Sequence, residues 1–186
     1  MIDFHSHILP AMDDGSKSVQ ISLQMLESLK LQGIKRVVAT PHFYANDDSV
    51  ESFLERRRIS FEELKAKYGA DSPEILLGAE VRYYEGLSKL EKLSELCIQG
   101  SNMLLIEMFS GRWSEYVVSE LLNLSAQGKV TVVLAHIERY MDYQSTDVFE
   151  RLLANNVLMQ VNAEFVTGFF TKRKALRLFK NERLHF

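Results

Sequence analysis

IDFHSHIL, residues 2–9, is the stretch that decides the fold. It begins as a short apolar β-prone run and carries two histidines, His5 and His7, one residue apart. In a strand, residues two positions apart project to the same side, so both imidazoles could bind a single ion. An H-x-H pair alone is a weak signal, because chance and core packing produce many such pairs. Its meaning depends on what the other strands carry.

Five more runs of this kind alternate with longer segments of helical period. The six runs are residues 2–4, 36–40, 75–80, 103–107, 130–135 and 157–161. Several are apolar almost throughout, which is typical of parallel strands covered on both faces. The alternation predicts βαβ units and a single α/β domain over residues 1–186, long enough for one sizeable core.

Apolar positions at helical spacing predict the connecting helices. The first has Ser16 or Ser18 as its N-cap and Gly33 as its stop, and the next two end near Gly69 and Gly128. The positions that mark these three helices and a shorter fourth are Val19, Leu23, Leu26 and Ile34; Phe53, Ile59 and Leu64; Trp113, Val117, Leu121 and Leu124; and Val148, Leu152 and Leu153. Residues 172–180 predict a further helix, and residues 184–186 the start of a strand.

Potential metal ligands stand at the ends of five runs. They are His5 with His7, then His42, Glu80, Glu107 and His136. The carboxyl ends of the strands in a parallel αβ barrel form one face, so these side chains are predicted to meet there. Taken singly, Glu80 or Glu107 could be a salt-bridged core residue, since an unpaired buried carboxylate is costly to desolvate. The recurrence at strand ends predicts a metal site.

Imidazole and carboxylate ligands without thiolates suit manganese, iron or zinc and argue against a structural zinc site. A carboxylate can bridge two ions, and Glu80, central in chain order, is the predicted bridge. Two ions about 3.5–4 Å apart can hold a hydroxide between them as the nucleophile. Hydrolysis of a phosphate ester is the reaction that we predict for such a site.

Two further segments each have a functional and a structural interpretation. Asp13-Asp14-Gly15 is either a solvated turn or the source of an oxygen ligand, for which we favour Asp14. Arg139, three residues after His136, could bind phosphate oxygens in a bidentate manner or form a surface salt bridge.

Composition argues against several classes of function. The formal charge of −3 and the pI near 6.0 give no general attraction to nucleic acid or anionic membranes. No apolar run approaches the roughly 20 residues of a membrane span, and the N-terminus has no signal-peptide pattern. Cys97 is the single cysteine, so no internal disulfide can form. We therefore predict a cytoplasmic protein that neither binds nucleic acid nor inserts into a membrane.

The same cysteine argues against a thiol-based tyrosine phosphatase. That mechanism requires an arginine at the end of the loop that follows the cysteine, and Met103 stands at its position. Cys97 is therefore predicted to be a packing residue. The sequence also has no glycine-rich nucleotide-binding loop.

Together these segments resemble the CpsB/CapC family of manganese-dependent protein-tyrosine phosphatases within the PHP (polymerase and histidinol phosphatase) superfamily. The resemblance runs from the first residue to the last. The segments that carry it are IDFHSHI (2–8), DDG (13–15), ATPH (39–42), GAE (78–80), LIE (105–107) and AHIERY (135–140). The HIERY segment in particular distinguishes this family from other PHP proteins.

The resemblance implies a distorted seven-stranded βα-barrel with two to three Mn²⁺ ions, or iron or zinc in their place. It implies that His5, His7 and Glu80 hold one ion and that Glu80 bridges to a second, held by Glu107 and His136. The remaining assignments are Asp14 and His42 to a third ion and Arg139 to phosphate binding. The implied partner is a phosphotyrosine protein, namely a bacterial tyrosine autokinase that controls capsule or exopolysaccharide export.

The resemblance also implies a Gly-Ser-Asp-x-His-Asn segment shortly after residues 181–186. The sequence ends at Phe186, so we expect the last strand and helix and the final Asp-x-His ligands to be absent. We therefore expect a barrel that is incomplete at its C-terminal end. An open strand edge would favour lower stability or self-association into a homo-oligomer.

Other functions stay open at this point. One is a phosphoesterase of the same superfamily that acts on a small metabolite such as histidinol phosphate. Another is a non-catalytic remnant that binds metal or phosphotyrosine without turnover. An amidohydrolase barrel also begins with H-x-H, but its bridging ligand is usually a modified lysine late in the barrel, whereas the bridge predicted here is Glu80.

Overall fold

The structure is a computed structural model that describes residues 1–168 and 171. The chain forms two compact units. The first comprises Met1–Val81 and Glu95–Ser101, and the second comprises Arg82–Ser94 and the chain from Asn102 onward. The helix predicted over residues 172–180 and the strand predicted at 184–186 lie outside the described residues.

Parallel strands and two helices build the first unit. Its elements are β1 (Ile2–Ser6), α1 (Val19–Leu31), β2 (Arg36–Ala39), β3 (His42–Phe43), α2 (Val50–Lys65), β4 (Glu74–Leu77) and the first two residues of β5 (Glu80–Arg82). Strand β2 lies between β1 and β4, and β3 pairs with β5. All these pairs are parallel because helices α1 and α2 provide the crossovers that return the chain to the same edge.

The ends of α1 follow the signals in the sequence. Ser18 is the N-cap, and its Oγ accepts a hydrogen bond of 3.3 Å from the Ile21 amide. Ser16 instead hydrogen-bonds the Ser22 hydroxyl at 2.8 Å. Gly33 follows the helix with a φ of 79°, a conformation that glycine adopts without steric cost. The core under α1 and α2 consists of Ile8, Leu9, Leu26, Val37, Ala39, Leu64 and Ile75.

The prediction of one strand over residues 75–80 was wrong. Strand β4 ends at Leu77, and Glu80 begins β5 instead of ending the earlier strand. Residues 78–79 form the connection because the Gly78 carbonyl accepts a hydrogen bond of 2.5 Å from the buried Arg57 guanidinium. The sequence gives no sign of this break because Gly78 and Ala79 continue the apolar run. A buried connection and a buried strand have the same apolar pattern.

Other details also differ from the predictions. His42 opens β3 because Pro41, which has no N–H to donate, separates it from β2. Ile59, predicted on the buried face of α2, is 45% exposed, while Phe53 and Leu64 are buried. The runs 130–135 and 157–161 shorten to four and two residues in the sheet.

The second unit is a three-stranded parallel sheet with helices. Its strands are β6 (Met103–Glu107), β7 (Thr131–Leu134) and β8 (Leu158–Met159), and β7 lies in the middle. The helices are α3 (Glu115–Ala126), α4 (Thr146–Ala154) and the short α5 (Ala163–Thr167). Helix α3 packs on β7, α4 packs on β8, and the two helices contact each other. The predicted apolar face of α3 is buried, including Val117, Leu121 and Leu124.

The α/β class with parallel strands is therefore confirmed. Closure of the strands into a barrel, and a single domain over residues 1–186, stay predictions. In the part of the chain that the structure describes, every helix is too short or too polar to cross a membrane.

Glu120 fixes the segment after β5 to helix α3. Its buried carboxylate accepts hydrogen bonds from the Tyr83 hydroxyl at 2.7 Å, the Gly86 amide at 3.0 Å and the Ser88 hydroxyl at 2.9 Å. Burial opposes ionisation of this carboxyl, but the hydrogen bonds more than compensate and lower its pKa. The ionised form is therefore the one that stabilises the fold.

Glu120→Gln should lower the free energy of unfolding by about 1–3 kcal/mol, because the amide cannot accept all of these hydrogen bonds. The difference from wild type should be full above the ordinary pKa of a glutamate and should shrink as the pH falls through the lowered pKa, where Glu120 becomes protonated. Urea denaturation at several pH values measures both. The control is Glu115→Gln in the first turn of the same helix, on an exposed carboxylate; an equal loss there would contradict the role of Glu120.

Candidate metal centre

The first unit buries one carboxylate among three imidazoles. Glu80 Oε2 lies 3.1 Å from His5 Nε2, 3.1 Å from His7 Nε2 and 3.2 Å from His42 Nδ1. The Glu80 side chain is 1% exposed, and all three histidines are mostly buried. Strand β1 supplies His5 and leads directly to His7, while the parallel β3–β5 register sets His42 opposite Glu80.

This donor set fits a transition metal. His5 Nε2 and His7 Nε2 are 3.3 Å apart. Two imidazole nitrogens that bind one tetrahedral ion at about 2.1 Å are about 3.4 Å apart, which is close to that spacing. A carboxylate oxygen directed at the same point completes a mixed nitrogen and oxygen set of the kind that manganese, iron and zinc accept.

Asp13 holds the ring of His7 and the backbone at His42 through hydrogen bonds. Its Oδ2 lies 2.7 Å from His7 Nδ1 and accepts a hydrogen bond of 2.9 Å from the His42 amide, while Oδ1 accepts one of 2.9 Å from Gly15. A carboxylate on Nδ1 holds the proton there and leaves Nε2 as the nitrogen that binds an ion. Since His7 has one such nitrogen, it can serve one ion.

The hydrogen bonds between His7 and Asp13 shift the pKa values of both side chains. Burial opposes the charged imidazole of His7, but the hydrogen bonds to Asp13 and Glu80 outweigh it and raise its pKa to about 10. Burial likewise opposes ionisation of Asp13, yet the bonds from His7, Gly15 and His42 lower its pKa to about 2.

The loop that carries the two aspartates closes tightly on β1. The Ser16 amide donates to the His7 carbonyl at 3.0 Å, and the Ala11 amide donates to the Ser16 carbonyl at 2.8 Å. A Cβ added to Gly15 would lie 2.3 Å from the His7 Cβ, which no packing tolerates. Glycine is therefore required at this position.

Asp14 lies on the open side of the cluster. Its Oδ1 is 3.6 Å from His42 Nε2, and its side chain is 84% exposed. His7, Asp14 and His42 form a second group whose potential ligand atoms lie within 4.8 Å of one another. The preference for Asp14 over Asp13 as the ligand stays a prediction.

The second unit presents Glu107 among positive and imidazole groups. Its Oε2 lies 2.9 Å from Arg82 Nη1, and its Oε1 lies 3.5 Å from His136 Nε2 and 3.6 Å from Arg139 Nη1. Arg139 is half exposed, so its guanidinium reaches both Glu107 and solvent. Glu107 and His136 are two potential ligands that face each other.

His136 adopts a strained backbone conformation that aims its ring. It has a φ of 34° and a ψ of 54°, in the left-handed region that non-glycine residues rarely occupy. Its amide donates to the Gln160 side chain at 2.6 Å, and its Nδ1 lies 3.0 Å from the Tyr140 hydroxyl. That hydroxyl also bonds the Met108 backbone at 3.0 and 3.1 Å. With Nδ1 held by Tyr140, Nε2 faces Glu107.

Sequence reasoning missed the residues that orient the ligands. Asp13 and Tyr140 contact histidines that are six and four residues away in the chain, whereas Arg82 contacts Glu107, 25 residues away. Arg82 stands two positions after Glu80, and this was the available signal. Cys97 is buried, and burial raises its pKa to about 11, as suits a packing residue.

The sequence profile of the capsular polysaccharide synthesis family CpsB/CapC matches residues 1–186. The chain belongs to this family. The resemblance stated from the sequence motifs is thereby confirmed.

Two bacterial relatives illustrate the similarity. The tyrosine-protein phosphatase CpsB of Streptococcus pneumoniae is 34% identical over 175 residues, which cover 90% of this chain and 69% of the relative. The tyrosine-protein phosphatase YwqE of Bacillus subtilis (strain 168) is 29% identical over 196 residues, covering 100% of this chain and 75% of the relative.

Solved structures agree with the family assignment. A crystal structure from work on YwqE of Bacillus subtilis and CpsB of Streptococcus pneumoniae, described as unique metal-dependent tyrosine phosphatases, matches with a TM-score of 0.77 and 27% identity. The match covers 100% of this chain and 77% of that one. A candidate histidinol phosphatase from Listeria monocytogenes matches with a TM-score of 0.55 and 16% identity over 100% and 93% of the two chains, which shows a shared fold.

The two neighbouring aspartates should respond differently to the same substitution. In metal-free protein, Asp13→Asn should lower the free energy of unfolding by about 1–3 kcal/mol, because it leaves buried donors poorly matched. Asp14→Asn should change it by less than about 0.5 kcal/mol, since its side chain is largely in solvent. Urea denaturation in the presence of a chelator compares them, and equal losses would show that Asp13 does not organise the loop.

Proposed function

We propose that this chain is a metal-dependent phosphatase that hydrolyses phosphotyrosine in proteins. The observation that carries the proposal is the buried Glu80 carboxylate surrounded by His5, His7 and His42. Relatives with this family profile are tyrosine-protein phosphatases, and the related crystal structures are described as metal-dependent. Burial raises the pKa of the Cys97 thiol, so this cysteine does not supply a reactive thiolate as an alternative to metal chemistry.

The residues proposed as ligands are His5, His7, Asp14, His42 and Glu80 in the first unit and Glu107 and His136 in the second. Two to three Mn²⁺ ions, or iron or zinc, are proposed to occupy them. When bound, such ions would activate water for attack on phosphorus and offset the charge on the phosphoryl oxygens. Asp13 and Tyr140 act on this set indirectly, by holding Nδ1 of His7 and His136.

Arg139 is proposed to bind the phosphate group. Its guanidinium is half exposed and lies 3.6 Å from Glu107, a distance that leaves its planar fork available to two phosphoryl oxygens. The departing phenolate of tyrosine has a pKa of about 10, so a strong general acid is not required. The chain therefore needs to bind and orient the ester more than to protonate it.

We propose a bacterial tyrosine autokinase that controls capsule or exopolysaccharide export as the partner, and the cytoplasm as the compartment. The substrate would be phosphotyrosines of that kinase. The family name, capsular polysaccharide synthesis, supports this choice.

The purified chain with Mn²⁺ should release phosphate from a phosphotyrosine peptide. A chelator should abolish the release, and Glu80→Gln should lower both the bound metal and the rate, because the amide loses the charge that the ions require. Cys97→Ser should retain activity. Phosphate assays and elemental analysis measure these quantities. Faster turnover of histidinol phosphate would favour a small-molecule phosphatase, and bound metal without turnover of either ester would indicate a non-catalytic protein.

Arg139→Ala should lower kcat/KM for the peptide by about 10- to 100-fold, the effect of losing a bidentate phosphate contact. Metal content should not change. Arg139→Lys, which keeps the charge without the planar fork, should recover part of the loss. Arg151→Ala, which breaks a surface ion pair with Glu115, is the matched control and should have no effect. Loss of metal in Arg139→Ala would contradict the assigned role.

A further inference from the structure

A cavity of about 570 Å³ opens beside the second metal group of the first unit. His42 and Asp14 form part of its wall, so a bound ion would face the cavity. Its volume lies within the range of small-molecule sites, which is roughly 300–1,000 Å³. The cavity extends from the loop that holds Asp13 to the first turn of helix α2.

The wall beyond the potential ligands includes an exposed aromatic ring, that of Tyr44. Tyr44 is 40% exposed, and its ring centroid lies 5.4 Å from that of His42 at an interplanar angle of 33°. Met12 and the fully buried Phe53 complete the apolar part of the lining, and Phe53 packs edge-on against Phe43. A potential cation ligand, His42, and the exposed ring of Tyr44 therefore lie side by side in the lining.

The charged residues of the lining do not favour an acidic peptide. Arg56 is held by Asp48 through Nε at 3.1 Å and Nη2 at 2.6 Å, so its charge is largely balanced within the wall. Asp13, Asp14 and Asp47 add further negative charge. A ligand that combines one anionic group for the metal end with an uncharged ring suits this distribution. An aryl phosphate is such a ligand.

We propose that this cavity binds the phenol ring of an aryl phosphate and that Tyr44 stacks on that ring. The inference rests on the proposed function and names the part of the substrate that the cavity selects. Tyr44 follows β3 directly, so the strand that presents His42 also presents the aromatic wall. Selection for aryl over alkyl esters then comes from one short segment of chain.

Binding of two non-hydrolysable probes to the Mn²⁺-loaded chain tests the proposal. Phenylphosphonate and methylphosphonate carry the same anionic group and differ in the ring. Wild type should bind phenylphosphonate roughly tenfold more tightly, as expected from ring burial and stacking. Calorimetry measures both affinities without depending on turnover.

Tyr44→Ala should reduce this preference to about twofold and leave the affinity for methylphosphonate unchanged. Tyr44→Phe should keep it, and Tyr44→Leu, which retains apolar bulk without an aromatic face, should fall between. Tyr116→Ala, which removes an exposed tyrosine of α3, is the matched control and should behave as wild type. Manganese content and thermal stability establish that each variant is folded and loaded.

Equal affinities in wild type, no binding of either probe, or a preference that survives Tyr44→Ala would each overturn the proposal. The phosphotyrosine assay separates this result from the fate of the proposed function. A ring preference without turnover would support ring binding in the cavity and contradict the proposed phosphatase activity. Turnover without a ring preference would support the phosphatase activity and contradict ring binding in the cavity.

Discussion

The burial of one negative charge, that of Glu80, is the constraint on which the first unit depends. A carboxylate that is 1% exposed costs several kcal/mol to remove from water unless positive or hydrogen-bonding groups replace the solvent. Three imidazoles do so here. The local fold serves that arrangement: Arg57 holds the turn before Glu80 through the Gly78 carbonyl, and the Glu80 amide bonds the Pro41 carbonyl at 3.0 Å.

The same arrangement makes the imidazoles depend on one another. Asp13 holds His7 in place through Nδ1 of the imidazole. The same carboxylate accepts a hydrogen bond from the backbone amide of His42. One aspartate therefore connects a loop after β1 to the start of β3. These two hydrogen bonds restrict the conformation of the loop more than its Asp-Asp-Gly sequence alone would.

Much of the fold could be predicted from apolar periodicity and capping residues. Strand β6 has the predicted limits, and α1 begins after Ser18 and is followed by Gly33, because local steric preferences act there alone. The break between β4 and β5 could not be predicted, since it depends on a hydrogen bond from Arg57, 21 residues away. The short strand β3 was missed because Pro41 separates it from β2. The candidate ligands were found because histidines and glutamates at strand ends are conspicuous. Their orienting partners were not, because a hydrogen bond between Asp13 and His42 spans 29 residues.

The left-handed backbone at His136 has a consequence for the history of such a protein. Most residues pay about 1–2 kcal/mol for this conformation, whereas glycine enters it freely and asparagine does so more easily than most. Stability alone would therefore favour glycine or asparagine over histidine. A lineage released from selection for chemistry would be expected to drift toward those residues here. The identity of this single side chain in any descendant can thus serve as a record of whether its ancestors continued to need an imidazole.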